Sequence, residues 1–301
     1  MKIISENQIE SLEITPRQCV EWVEKSFKSK PLADMPPKIS VHPFQDSFYT
    51  AMPCYHPDVE KVGVKVVSRV PGSVPALKSK MLLFEAKSGN LLSLMDANWI
   101  TTMRTGAVAA LAAKVFSADF ENGSFGIVGL GTIARATLKC LFSICDKTPE
   151  IWLLEYKDQA KRIADEFPNV KFRFTSDKEE LIRNTTTLFS CVTVMHEQFM
   201  APQSYPSGYT LIPVHVRGFQ DCDLVFDKIF GDDTGHISSW KNFSSFRKFA
   251  EFSDVLLGVV KGRESNKERI ISYNYGLGLH DLWFASKIYE ACSDFKGSIG
   301  V

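Results

Sequence analysis

Two kinds of hydrophobic spacing divide the chain. After Thr15-Pro16, apolar residues Cys19, Val20, Val23 and Phe27 recur at helical intervals. Thr15 supplies an N-cap hydroxyl there, and Pro16 suits the first helical position. A proline-punctuated connection follows over residues 30–37. From Ile39 the pattern changes to short apolar runs between turns, and 48–52, 62–68 and 80–85 are predicted strands. Lys87-Ser-Gly-Asn90 reads as a hairpin loop into a further strand over 91–94. The first third is thus predicted to be a mainly antiparallel sheet beside a helix.

Asp96 caps the next predicted helix, 97–116, which is rich in alanine, leucine and valine and has small residues on nearly every face. Such a helix packs on several sides and bridges the first domain to the next. Arg104 is the one full charge between Asp96 and Lys114. So isolated a guanidinium needs an anionic partner, either a structural carboxylate or a bound carboxylate or phosphate that its fork can clamp.

Beyond it the period changes again. Residues 125–128 read as a buried parallel strand, followed by Gly129-x-Gly131-x-x-Ala134 and a helix over 134–144. In this order the segment has the form of a dinucleotide-binding turn. Gly129 permits the tight turn, Gly131 lets backbone approach a pyrophosphate, and Ala134 allows close helix–strand packing. The next strand, 151–155, ends in Glu155, about 20–26 residues on, where the fingerprint places a ribose ligand. Alternation then continues: helices 157–167 and 177–183; strands 170–174, 188–194, 209–216 and 224–230; and a final helix 281–292. Residues 241–251 and 254–260 read as helical or irregular. The prediction is α/β, a Rossmann doubly wound parallel sheet over 118–272 plus a mainly antiparallel α+β domain from 1–117 and 273–301.

Lysine plus arginine and aspartate plus glutamate balance at 35 each, so no long-range field favours nucleic acid or an anionic membrane. No apolar run reaches the length of a membrane span, and the N-terminus lacks a signal peptide's apolar segment. Seven scattered cysteines without a Cys-x-x-Cys pair argue for a reducing, cytoplasmic setting, and the histidines show no metal-site spacing.

The segment Ile100-Thr-Thr-Met-Arg-Thr-Gly-Ala107, the Gly-x-Gly-x-x-Ala loop, Gly63-Val-Lys65, Met52-Pro53 and the closing Asn274-Tyr-Gly276 with His280-Asp281 together resemble the ornithine cyclodeaminase/mu-crystallin family. The resemblance implies homodimers formed through the non-nucleotide domain, and a nicotinamide cofactor used on amino acids, imines or keto acids. It places Lys65 and Arg104 at the substrate, Arg104 also at the cofactor, Met52 beside them, and Lys38 where many members carry a carboxylate-binding arginine. Thr132, Ile133, Thr193 and Asn274 match cofactor contacts, with Gly129, Gly131 and Ala134. Glu155 matches the ribose carboxylate and favours NAD; nearby Lys157 leaves NADP open. One stretch departs: His215-Val-Arg-Gly-Phe-Gln-Asp-Cys-Asp223 lacks the Asp-Cys-Pro-Gly-Lys-like setting of the family's acid/base aspartate. That position falls on Arg217 or Gly218, which argues against literal ornithine cyclisation. His215, Asp221 and Asp223 are replacement candidates, each of which also has a purely structural reading.

Two functions compete. One is an NAD-dependent oxidoreductase, or cyclodeaminase-like enzyme, with hydride transfer beside a carboxylate. The other is a non-catalytic nucleotide or small-ligand binder of the mu-crystallin type. Two cations at a substrate carboxylate favour the first.

Overall fold

A computed structural model describes residues 1–193, 195–215 and 218–292. It divides the chain into two compact units, one from 1–104 and 277 onward, the other from 105–276.

The first unit starts with β1 (Lys2–Ile4), α1 (Glu6–Glu10) and α2 (Pro16–Ser29). Thr15 caps α2 as the sequence predicts, its hydroxyl accepting from the Gln18 N–H while the Gln18 side chain reaches back. Strands β2 (Ile39–Val41), β3 (Phe48–His56), β4 (Lys61–Arg69), β5 (Leu77–Glu85) and β6 (Leu91–Asp96) complete a six-stranded sheet in the order β1-β6-β5-β4-β3-β2. All neighbours are antiparallel except β1, a three-residue strand too short to stand out in the sequence, which runs parallel to β6. Strict alternation buries one face, as in Thr50, Met52, Cys54 and His56 of β3. Helix α3 (Asn98–Phe116) follows, and the division between units falls within it.

The second unit contains β7 (Ser124–Val128), α4 (Thr132–Ile144), β8 (Glu150–Leu154), α5 (Gln159–Glu166), β9 (Phe172–Thr175), α6 (Lys178–Asn184), β10 (Thr187–Ser190), β11 (Thr210–Pro213), β12 (Lys228–Gly231), α7 (Thr234–Ile237), β13 (Phe249–Glu251), α8 (Phe252–Leu256) and β14 (Ile270–Tyr273). Its eight strands are all parallel, in the order β13-β12-β14-β11-β10-β7-β8-β9. Strand order reverses between β7 and β10, the switch point at which open α/β sheets bind ligands. This is the doubly wound sheet expected.

Several boundaries differ from expectation. The strands predicted over 188–194 and 209–216 stop at Ser190 and Pro213, where their mutual pairing ladder ends. Within those predicted spans, Val194 and Val216 lie outside the described residues. The strand predicted over 224–230 begins only at Lys228: a 3₁₀ turn, Gln220–Leu224, precedes it, and Cys222, Asp223 and Phe226 are buried without pairing. The stretch 241–251 ends in the edge strand β13.

The last element among the described residues is α9 (Gly278–Ala291), which starts three residues earlier than predicted. It returns to the first unit, packing on β3, β4 and β5, with α2 against it. Trp22 of α2 meets Phe284 edge-on at 5.1 Å. Gly63 of β4 keeps the contact with α9 close, since a Cβ would lie 2.4 Å from the terminal methyl of Met81 and 3.0 Å from Leu282, and both side chains would have to shift. Among the described residues no helix is long and apolar enough to cross a membrane.

Candidate functional site

In the second unit the switch point carries the glycine loop. Gly129 has φ +80°, and a Cβ there would lie 2.4 Å from the Val192 nitrogen, so β7 leaves the sheet against the backbone beyond β10. The Cys191 N–H donates to the Val128 carbonyl at 2.7 Å, which closes the two strand ends together. Gly131 is different: its φ is ordinary, it is exposed, and a Cβ would meet nothing within 4 Å. Gly131 also serves as N-cap of α4 without a side-chain cap, leaving the N–H groups at Thr132 and Ile133 without that partner. Open space before an uncapped helix N-terminus, with positive dipole, fits the pyrophosphate of a dinucleotide.

Ala134 is buried, and Gly106 of α3 packs so closely that its Cβ would lie 2.5 Å from the Ala136 carbonyl carbon. Arg135 donates to the Leu130 carbonyl at 2.7 Å and pairs with Glu166 at 2.6 Å. Glu155 is exposed one residue past β8, its N–H donating to the Thr175 carbonyl at 2.8 Å. Thr193 is exposed beyond β10. Asn274, just past β14, is buried, donating from its side chain to the Ser272 carbonyl at 3.1 Å and from its backbone to Pro213 at 3.1 Å. These residues therefore all stand at the C-terminal edge of one parallel sheet.

His215 stands at that edge too, its Nε2 2.6 Å from the Ser190 hydroxyl at the end of β10. Asp221 is exposed on the 3₁₀ turn. Asp223 on the same turn is 1% exposed and accepts from the Tyr273 hydroxyl at 2.6 Å. Burial pushes its carboxyl up to about 7 against the lowering effect of that hydrogen bond. Asp223 thus sits in the core rather than at the sheet edge. Arg217 lies outside the described residues.

In the first unit the sheet register places Lys65 in a row with Met52 on one side and Met81 and Met95 on the other. Lys65 is fully buried, in a slot of polarisable thioether side chains. Its Nζ donates to Asp281 Oδ1 at 2.7 Å and to the Thr101 hydroxyl at 3.4 Å. Arg104 is 7% exposed, with Nε 3.3 Å from the same Asp281 oxygen. Asp281 Oδ2 has no hydrogen-bond partner among the described residues. Burial, then the neighbouring Arg104, pulls the Lys65 ammonium down to about 8, against the attraction of Asp281.

Arg104 therefore has the structural carboxylate it needs, yet shares it. Two cations on one carboxylate leave a surplus of one positive charge whenever Lys65 is protonated, and an incoming carboxylate would balance it. Met52 is buried opposite Lys65. Lys38 is half-buried and directly precedes β2, whose Ile39 pairs with Ala51 of β3.

Next to Asp281, His280 is fully buried, with Nδ1 2.7 Å from the Ser26 hydroxyl. Ser26 donates its own proton to the Val23 carbonyl at 2.8 Å, so His280 carries its proton on Nδ1 and donates it. Burial and the nearby Arg104, Lys30 and Lys65 hold its pKa well below the usual value, keeping it neutral. In the sequence Asp281 stands out only as the start of the final helix and as part of the closing motif. The signal was there: a carboxylate on an otherwise apolar helix needs a cation, the logic that singles out Arg104.

A model of the ornithine cyclodeaminase/mu-crystallin family matches residues 2–202. The chain is 25% identical over 270 residues to the nodulation efficiency protein NfeD of Rhizobium meliloti, covering 85% of this chain and 83% of that one. It is 26% identical over 311 residues to alanine dehydrogenase of Archaeoglobus fulgidus, covering 96% and 94%. The solved structure of Thermococcus litoralis Δ1-pyrroline-2-carboxylate reductase, in complex with NADH and L-proline, superposes with a TM-score of 0.88 at 22% identity over 100% of both chains. With two thirds of its length matched by the family model, the chain belongs to the ornithine cyclodeaminase/mu-crystallin family.

Proposed function

We propose that this protein is an NAD-dependent oxidoreductase acting on an amino acid, imine or keto acid at the carbon next to its carboxylate. The observation that carries the reading is the buried Lys65–Asp281–Arg104 cluster, one anion short of neutrality. When bound, NAD supplies hydride acceptor chemistry at that carbon, and NADH the reverse. Gly129, Gly131 and the N–H groups of Thr132 and Ile133 hold the pyrophosphate, and Ala134 lets α4 approach. Glu155 takes the ribose hydroxyls and disfavours a 2′-phosphate, so NAD is preferred to NADP. Thr193, Asn274 and Arg104 complete the cofactor contacts.

Lys65 and Arg104, with Lys38, hold the substrate carboxylate, and Met52 packs beside it. Lys65 polarises the C=N or C=O and donates a proton; an ammonium that titrates near 8 is poised for that transfer. His215, at the sheet edge, is the stronger acid/base candidate beside the exposed Asp221. Dehydrogenation or imine reduction suits these residues better than ornithine cyclisation, which in the family uses an aspartate setting absent here.

We also infer a homodimer through the first unit. Its unburied sheet face aligns Ile39 (65% exposed) with Ala51 and Val66, and Val41 with Tyr49, an apolar surface that a second copy would cover. Seven free cysteines support a cytoplasmic location.

The test is NADH binding by fluorescence, followed by nicotinamide absorbance during turnover with a panel of amino, imino and keto acids. Turnover with at least one carboxylate substrate is expected. Binding without turnover across the panel would leave the binding-protein reading instead.

A further inference from the structure

The carboxylate that organises the substrate cations comes from the last helix. Asp281 is 0% exposed; its Oδ1 accepts a hydrogen bond from Lys65 Nζ at 2.7 Å and lies 3.3 Å from Arg104 Nε, an ion pair without hydrogen-bond geometry. We propose that Asp281 is the positioning residue of this site, holding Lys65 and Arg104 together as a carboxylate-binding pair and keeping Lys65 protonated for catalysis. This rests on the substrate role given to Lys65 and Arg104 above.

Three observations converge on it. First, Lys65 lies on β4 and Arg104 on α3, and the Asp281 oxygen contacts both. Second, the surroundings offer no other anion to do this work among the described contacts. Besides Asp281, the groups acting with Lys65 are Arg104 and the Thr101 hydroxyl from α3 and the neutral His280 from α9, while the Cys54 thiol from β3 feels Asp281. Cys54 is pushed up to about 12, mainly by burial and then by Asp281, so it stays neutral. Lys30 adds to the positive field at His280, and Asp34 acts on Cys54. Third, burial and Arg104 both drive Lys65 toward its neutral form, while Asp281 opposes them by charge and by hydrogen bond. Removing that carboxylate leaves nothing to hold the proton at neutral pH.

The test uses the full chain labelled with 13C-lysine. The Lys65 Cε resonance, assigned by its loss in Lys65→Met, is titrated in the unmutated protein and in Asp281→Asn. The expected result is a midpoint about one pH unit or more lower in Asp281→Asn, a tenfold or greater loss of proton affinity. The alkaline limb of kcat/KM should move down by the same amount. Asp281→Glu keeps the charge and should restore the midpoint, but with KM raised about fivefold or more because Nζ is displaced.

An unchanged midpoint in Asp281→Asn overturns the proposal. A shifted midpoint with an unshifted kinetic limb overturns it as well, since the pair would then be structural only. If Asp281→Asn does not fold, Asp281→Glu decides: an unaltered KM refutes the positioning role. A protein that turns over nothing on the panel refutes the functional reading instead, and the resonance midpoint then judges whether Asp281 holds the Lys65 proton.

Discussion

Lys65→Met separates the electrostatics of the buried cluster from its chemistry. Breaking a buried ion pair by removing one partner ordinarily costs about 3–5 kcal/mol, because a charge is left buried without compensation. Here removal of Lys65 leaves Asp281 with Arg104 3.3 Å away, and the cluster passes from one surplus positive charge to neutrality. The new methionine joins the row of Met52, Met81 and Met95, so the slot suits it. Stability at pH 7 should therefore change by less than about 1 kcal/mol, well below the usual cost of a broken buried pair.

Activity should fall instead. A lost charge-assisted contact of about 1.5–3 kcal/mol lowers kcat/KM by about 10- to 150-fold. pH adds a second signature. The folded chain pulls Lys65 from the ordinary 10.5 to about 8, so between those values the unfolded state binds more protons and stability rises with pH. Below pH 8 both states are protonated and the penalty is constant. The difference in unfolding free energy between the unmutated protein and Lys65→Met should then grow in favour of the unmutated chain from pH 8 to 10.5, by at most about 3 kcal/mol. Taking the difference cancels the buried thiols Cys19, Cys54 and Cys191, whose raised pKa values act in the opposite direction. Urea unfolding across that pH range, beside steady-state kinetics, is the assay. A loss above about 3 kcal/mol at pH 7, or full activity in the variant, refutes the reasoning.

Gly131→Ala should leave the melting temperature unchanged yet weaken NADH at least about tenfold, since its methyl enters the open cradle; calorimetry reads both. Gly129→Ala should instead destabilise by about 2 kcal/mol or more, from positive φ and the clash at Val192, as seen in denaturant midpoints. Glu155→Ala should narrow the preference for NADH over NADPH in paired binding titrations, and tighter NADPH binding by the unmutated protein would show Glu155 misplaced. Asp223→Asn should flatten the loss of stability that a carboxyl raised to about 7 imposes as pH climbs from about 4 to 7, measured as unfolding free energy against pH.

What could be read from the sequence follows physical range. The glycine loop, the α2 cap and the hairpin strands depend on neighbours a few residues away, and their signals survive in the linear pattern. Arg104 was legible because a lone charge on an apolar helix stands out whatever its partner. The partner was not, because Asp281 is 216 positions from Lys65 and served in the pattern only as a helix start within the closing motif. Ile270–Tyr273 escaped notice because four residues after a charged run form no distinctive alternation; parallel neighbours on both sides make it a strand. The run through Val225 and Phe226 misled in the other direction, since burial in a 3₁₀ turn and its exit looks like a strand until pairing is known.

The return of α9 to the first sheet sets an order of events during synthesis. Residues 105–276 form an uninterrupted unit, complete before α9 is made. The first unit begins earlier but finishes later, because its core lacks a helix until residues 278–291 emerge. Throughout that interval Lys65 sits in a nascent sheet without the carboxylate it will pair with, and its apolar face lacks the helix that will seal it. The first domain to be started is therefore the last to be closed, and it carries the greater exposure to misassembly or chaperone capture on the ribosome.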